Sequence, residues 1–359
     1  MVKGPLPLFR PATGERGFIL EITLTTDTEG GRTFILPTQD NGVFDYVVDW
    51  GDNTSNIITT YDSADRIHTY ATTGKYEIEI KGECPSLGSF KNDNNHLKVT
   101  DIIYWGDISK FGGFRQLGAD DWDFRFTGTF NECTNLKSTG VGKIIAKPEL
   151  ITLTDLFSGC TNNSFTSITS GLFDNCVNLT NRAFSKTFMD CNKLISLPID
   201  LFRYNTELSE YAFEQAFQNC SSLISLPIDL FRYNTKVTSF ANTFINCSSL
   251  TSIPAELFRF NTAVSTNGFH YTFYGCNKLQ LNANIFYADG EQSTRFKNRV
   301  SAFSSCFEIT DFTGSKGIAP DLWNCDFGTE TPVKLNCFKG HSTTSLTNYN
   351  DIPNDWKGL

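Results

Sequence analysis

Apolar residues recur at a regular interval from residue 126 to the C-terminus. Eight cysteines in this part are separated by 27, 31, 29, 27, 29, 30 and 31 residues, and a phenylalanine stands three residues before each of the first seven. Residues that recur once per repeat pack against copies of themselves, so we expect these side chains to be buried. The predicted structural ladder consists of Phe130, Cys133, Phe157, Cys160, Phe188, Cys191, Phe217, Cys220, Phe244, Cys247, Phe273, Cys276, Phe303, Cys306 and Cys337.

The pattern within each repeat predicts two kinds of element. Phe184, Phe188 and Cys191 have the i, i+4, i+7 spacing of a short helix. Leu194 begins an alternating, strand-like segment, and Pro198 is suited to open a second helical turn. The predicted fold class is therefore an α/β leucine-rich-repeat-like solenoid, with a short strand plus helical turns in each repeat of about 29 residues. The last copies match the repeat pattern less closely, as expected for a terminal cap.

The N-terminal part follows a different pattern. Residues 18–84 contain short alternating segments separated by Gly, Asn and Asp, which predict a small all-β immunoglobulin-like sandwich with Trp50 in its core. Residues 1–17 are interpreted as an extended arm, with a frayed tail as the alternative. Residues 85–125 are interpreted as a junction or atypical first rung, and residues 126–359 as the solenoid.

Two resemblances add to this interpretation. The F-x-x-C-x-x-L-x-x-I/L-P pattern of residues 126–359 resembles the BspA-like leucine-rich repeats of bacterial surface proteins, which also occur in some bacteriophages. The segment from Tyr46 to Ile80 resembles a PKD-like domain of the immunoglobulin type. The first resemblance implies adhesion, host contact or display, and the second implies a spacer or a protein contact. Most cellular BspA-like members carry a signal peptide, whereas prolines and charges interrupt the first residues here.

Composition and charge argue against several classes of protein. The net charge is −9 and Lys and Arg do not cluster, so we expect no nucleic-acid partner. No run approaches the roughly 18 apolar residues that cross a bilayer, so we expect no membrane insertion. Eight of the eleven cysteines fall in one slot of the repeat. We therefore expect reduced, buried thiols, with disulfides as the alternative.

A repeated box with the pattern D/E-L-F-R-Y/F-N supplies the first candidate binding site. It predicts a ladder of arginines and rings formed by Arg203, Tyr204, Arg232, Tyr233, Arg259 and Phe260. The alternative is purely structural, because an acid three residues before each arginine would pair with it. A second candidate gathers three carboxylates around a ring, for a sugar or a cation, at Asp120, Asp121, Trp122 and Asp123. Its alternative is an acidic junction loop.

No catalytic motif is present. The four histidines lack metal-ligand spacing, and neither a nucleophile elbow nor a phosphate-binding loop occurs. We therefore predict a non-enzymatic binding or display protein without cofactor or metal. A bacteriophage virion component (capsid decoration, head fibre or tail-associated), assembled in the host cytoplasm, is the favoured interpretation. A bacterial cell-surface adhesin and a polysaccharide-degrading tailspike are the alternatives.

The expected partners follow from the two parts of the chain. The arm and the β-sandwich are expected to contact other virion or surface proteins. The solenoid is expected to contact a host surface protein or glycan. Self-association into a homo-oligomer is a further expectation.

Overall fold

The computed structural model describes residues 16–38, 43–84, 87–91, 95–106, 128–144, 152–265, 268–291, 295–297, 302–311 and 313–359. The strands are β1 (Phe18–Leu24), β2 (Thr33–Ile35), β3 (Asp45–Asp49), β4 (Ser55–Ile58), β5 (Ile67–Thr69), β6 (Gly74–Glu83) and β7 (Val99–Tyr104). The helices are α1 (Glu29–Arg32) and α2 (Asn354–Lys357), with 3-10 turns at Ala64–Arg66, Leu322–Asn324 and Tyr349–Asp351. Among these ranges, none of the helices has the length and apolar character that crossing a membrane requires.

All seven strands belong to two antiparallel sheets in the N-terminal part. The first has the order β4-β3-β6-β1-β7, and the second pairs β2 with β5. Alternation in β1 turns Leu20 and Ile22 inward, where both are fully buried. Trp50 is also fully buried, and its backbone carbonyl accepts a hydrogen bond from the Tyr70 hydroxyl at 2.9 Å. Strand β7 comes from residues 85–125, so the first sheet extends past residue 84.

The predicted α/β leucine-rich-repeat-like solenoid is wrong. In the described part of residues 128–353 the chain forms consecutive tight turns with isolated bridges, and regular strands occur only in the two antiparallel sheets. Arg182, Lys186 and Asp190 have φ angles of 52°, 55° and 62°. An α-helix cannot pass through left-handed residues that recur every four positions. The spacing of Phe184 and Phe188 therefore reflects a four-residue turn and not a helical turn.

Backbone N–H groups in these turns alternate between two kinds of acceptor. Some bond to the carbonyl three residues earlier, as Ser185 does to Arg182 at 3.0 Å. The N–H groups between them bond to carbonyls of the next repeat at 2.8–2.9 Å; these pairs are Arg182 to Glu210, Phe184 to Ala212, Lys186 to Glu214, Phe188 to Ala216 and Asp190 to Gln218. Each repeat is therefore tied to its neighbour by a backbone ladder, which uses the donors that a helix would need.

Phenylalanine rings form continuous columns through the buried core. One column has neighbouring ring centroids 5.4–5.7 Å apart and interplanar angles of 14° or less; it consists of Phe130, Phe157, Phe188, Phe217, Phe244, Phe273, Phe307 and Phe338. Burying each ring contributes about 1.5–3 kcal/mol, and no repeat could bury its rings alone.

Side-chain donors satisfy carbonyls inside the stack. The Cys160 thiol donates to the Phe130 carbonyl at 3.2 Å, and Cys191, Cys220, Cys247 and Cys276 make the same bond one repeat later each time, at 3.1–3.2 Å. A second column of buried donors bonds to two carbonyls of the preceding repeat at 2.9–3.1 Å and consists of Asn205, Asn234 and Asn261. These side chains thus provide donors to turn carbonyls of the preceding repeat.

Three predicted ladder residues lie elsewhere than expected. Phe303 stacks on Phe269 at 5.5 Å, so it belongs to a different ring column. Cys306 and Cys337 are buried, but their carbonyls accept the N–H groups of Phe273 and Phe307. Both cysteines therefore lie one four-residue turn before the cysteine column, which is the position whose thiol donates to a phenylalanine carbonyl of the preceding repeat. The structural step from Phe273 to Phe307 spans 34 residues (307 − 273), longer than the 30 between Cys276 and Cys306. Equal cysteine spacing therefore concealed a shift of register.

His341 takes the cysteine slot in the last repeat. Its Nε2 donates to the Phe307 carbonyl at 2.9 Å, as each thiol does to the preceding phenylalanine. The side chain is buried, and burial lowers the pKa of His341 to about 4. The imidazole is therefore neutral in the folded protein at neutral pH.

Aromatic side chains close both ends of the stack. Trp105, just after β7, meets Phe130 edge-on at 6.0 Å and donates its Nε1 hydrogen to the Thr139 carbonyl at 2.7 Å. At the other end, Trp356 of α2 lies 6.4 Å from Phe338, and the carbonyl of Trp356 accepts the Phe338 N–H at 2.9 Å. The terminal rings are thus shielded from water.

All eleven cysteines are buried thiols, so we expect none of them to react in the folded protein. Iodoacetamide at pH 8, followed by mass spectrometry, should label none in buffer and eleven in denaturant. As a positive control, Ser225→Cys places a thiol on the exposed face and should add one label in buffer. Rapid native labelling of Cys247 would contradict the buried column.

The pKa of His341 predicts a loss of stability in acid. The pKa is about 4 in the folded state and about 6.5 in the unfolded state, so only the unfolded chain takes up a proton in this window. His341 should therefore lower the free energy of unfolding by about 3 kcal/mol as the pH falls from 6.5 to 4, with no such loss above 6.5. Urea unfolding of the native protein and of His341→Cys, which restores the usual residue of the slot, measures the difference. Identical pH profiles would rule out this role.

Candidate interaction surface

An outward-facing strip recurs in consecutive repeats just after the cysteine turn. Ile199 and Ile228 occupy the same position in two repeats and are 56% and 62% exposed. Ile195 and Ile224 form a second exposed pair four residues earlier in each repeat. Exposed isoleucines thus recur at matching positions of two neighbouring repeats, and repeated apolar exposure on one face is a feature of interaction sites.

The backbone holds these isoleucines in register. The Ile195 N–H bonds to the Thr166 carbonyl at 2.8 Å, and the Ile224 N–H bonds to the Ile195 carbonyl at 3.1 Å. Leu197 and Leu226, two residues further on, turn inward and are buried. The chain therefore anchors the inner leucine and leaves the isoleucine on each side of it exposed.

The predicted arginines and rings lie beside this apolar strip. Arg203 Cζ is 5.7 Å from the ring centroid of Tyr204 and 5.5 Å from that of Tyr233 in the next repeat. Arg232 Cζ is 4.4 Å from the centroid of Phe260, and Arg259 Cζ is 5.5 Å from the same ring. Each distance is within the range of a cation–π interaction. The structure thus brings all six predicted residues into one ladder.

Acidic residues pair with the arginines unequally. Asp200 lies 3.5 Å from Arg203 and Asp229 lies 3.4 Å from Arg232, in half-exposed contacts that contribute little to stability. Arg259 is held more closely, at 2.7 Å by Glu256 and 2.5 Å by Glu291, and hydrogen bonds to both carboxylates raise its pKa. Arg203 and Arg232 are therefore the arginines whose guanidinium groups can turn to a partner at low cost.

We define the repeat surface as Ile195, Ile199, Arg203, Tyr204, Ile224, Ile228, Arg232, Tyr233, Arg259 and Phe260. It combines aliphatic area, aromatic rings and cationic donors, which is the composition of energetic centres in protein interfaces. The sequence prediction missed the four isoleucines. A signal for their exposure was present in the next copy of the pattern. That copy has Thr251 and Ala255 in place of the two isoleucines, whereas the buried position between them stays apolar.

A polar groove of about 440 Å³ follows the cysteine turn. Asn219 Nδ2 donates to Asp190 Oδ1 at 2.7 Å, and Asn246 Nδ2 donates to Asn219 Oδ1 at 3.0 Å. These side chains already bond to one another, so the groove is a weaker candidate than the repeat surface.

Two predicted features lie outside the described residues: the acidic cluster of Asp120, Asp121, Trp122 and Asp123, and residues 1–15 of the N-terminal arm. In the part of the chain that the structure describes, no three His, Cys, Asp or Glu side chains are grouped so that they could hold a metal ion.

Comparison with family models found no match, and neither curated proteins nor solved structures gave one.

Proposed function

We propose that this chain is a non-enzymatic binding protein that presents the repeat surface to a partner protein or glycan. The observation that carries the proposal is the repetition of exposed isoleucines beside arginines stacked on rings, in a register fixed by the buried columns. A surface of identical groups suits a partner with an extended contact area. Because the scaffold already orders these side chains, less conformational entropy is lost on binding.

The finer proposal is a structural component of a bacteriophage particle. Its support is the BspA-like repeat pattern together with eleven buried thiols, which suit a chain that folds in a reducing cytoplasm before particles assemble. A bacterial cell-surface adhesin would use the same surface, so the location of the protein separates the two functions.

The surface is tested by binding to intact cells of the bacterial host. Ile199→Ala and Ile228→Ala copy the natural Ala255, and Arg203→Gln with Arg232→Gln removes both loosely paired charges. The fourfold variant should bind roughly 10–30-fold more weakly, measured by flow cytometry of labelled protein. Ile57→Ala, at an exposed isoleucine of β4, is the matched control and should bind as the native protein does. Undiminished binding by the fourfold variant would refute this use of the surface.

The location is tested by mass spectrometry of gradient-purified particles. A virion component should be present at a constant ratio to the major capsid protein across the particle peak. An abundant host cytoplasmic enzyme serves as the control and should fall away during purification. If the chain is missing from particles but is released from intact cells by protease, the adhesin alternative replaces the virion proposal.

A further inference from the structure

A second cavity lies where the five-stranded sheet meets the first repeats. Its volume is about 490 Å³, within the range of small-ligand sites. It is lined by Thr23, Thr25, Thr26, Gly31, Leu97, Lys98, Thr100, Asn135, Lys137 and Asn162. Hydroxyl, amide and ammonium groups dominate this lining, and none of the described residues that line the cavity carries a carboxylate.

The two lysines of the cavity differ in their partners. Lys137 Nζ lies 2.9 Å from Glu21, whose carboxylate is also 3.5 Å from Lys75. Lys98 Nζ donates only to backbone carbonyls, those of Gly30 at 3.1 Å and of Thr33, and has no carboxylate partner among the described residues. Partial burial lowers the pKa of Lys98. A half-buried ammonium without a counter-ion is costly, and an anion bound in the cavity would remove that cost.

Hydroxyl and amide groups line the same cavity as this ammonium. The Thr23 and Thr100 hydroxyls lie 3.1 Å apart, and Thr100 Oγ1 donates to Glu21 at 2.7 Å. Thr25 and Thr26 are exposed on the wall, and Leu97 is a 53% exposed apolar side chain beside them. The Asn135 and Asn162 amides already donate to backbone carbonyls, at 2.6 and 3.2 Å, and keep their side-chain oxygens as acceptors. The exposed Thr25 and Thr26 hydroxyls can bond to ligand hydroxyls, while Leu97 offers contact to a C–H face.

We propose that this cavity binds an acidic sugar residue, with its carboxylate at Lys98 and its hydroxyls on the threonine and asparagine side chains. Lys137 already pairs with Glu21, so Lys98 is the lining ammonium without a carboxylate contact among the described residues; one carboxylate can pair with it, whereas a phosphate monoester carries about −1.5 to −2. The hydroxyl lining fits a polyhydroxylated ligand better than a simple fatty or amino acid. The site lies apart from the repeat surface, so either proposal can fail without the other.

The test measures binding of three probes by saturation-transfer NMR and by titration of amide shifts at low salt. The probes are glucuronate, glucose as its uncharged counterpart, and inorganic phosphate. Glucuronate should bind more tightly than either, and Lys98→Met should weaken glucuronate roughly tenfold or more, because a charge-assisted bond is lost. Lys75→Met is the control. Like Lys137, Lys75 contacts Glu21, but it does not line the cavity, so its loss should leave the affinity for glucuronate unchanged.

Each other outcome counts against the proposal. Equal affinity for glucose and glucuronate would show that Lys98 does not recognise an anion, and preference for phosphate would assign the cavity to that ion. Absence of glucuronate binding to the native chain would overturn the site outright. If Lys98→Met lowers the melting temperature markedly, the test rests on the native protein. Glucuronate bound in the cavity must then shift the amide signals of Thr26 and Leu97, and unchanged signals overturn the proposal.

Discussion

The structure depends on how buried turn carbonyls find hydrogen-bond donors. A chain of tight turns cannot satisfy its own backbone as a helix does, and an unpaired buried carbonyl costs about 1–3 kcal/mol. Here a neighbouring repeat supplies the donor: the preceding repeat supplies it as a backbone N–H, such as Phe188 to the Ala216 carbonyl, and the following repeat as a side chain such as the Cys191 thiol or the Asn234 amide. Each repeat therefore satisfies backbone hydrogen bonds of its neighbour. The same requirement explains the caps, because Trp105 and Trp356 meet the first and last repeats, which have a neighbour on one side only.

Sequence periodicity predicted which residues are buried better than it predicted the backbone. Phenylalanines at intervals of four appeared helical because a four-residue turn and a 3.6-residue helical turn place side chains almost alike over two turns. The left-handed φ angles of Lys186 and Gln215 distinguish the two, and neither residue type signals that conformation. Similarly, regular spacing assigned Cys306 to the cysteine column, although a longer repeat shifts it by one turn and brings His341 into that slot.

The two candidate sites differ in how far a sequence can reveal them. The arginines and rings of the repeat surface belong to one short box, so repetition alone predicted that Arg203 and Arg232 would align. The isoleucines were hidden because an exposed Ile195 and a buried Leu197 have the same apolar character, and only the backbone decides which one faces water. The acidic-sugar cavity joins Thr23, Lys98 and Asn162 from distant segments, so no local pattern could have indicated it.

The ring columns also determine the geometry of the repeat surface. Phe202, Phe231 and Phe258 belong to the arginine box, and their centroids are 6.3 and 5.8 Å apart, close to the 5.6 Å between Phe188 and Phe217 on the cysteine side. This spacing places Arg203 over the ring of Tyr233 in the following repeat, so the outer ladder links repeats as the inner columns do. A partner would thus contact side chains whose spacing is set by the core. A substitution of one buried ring should therefore displace the side chains of the repeat surface above it.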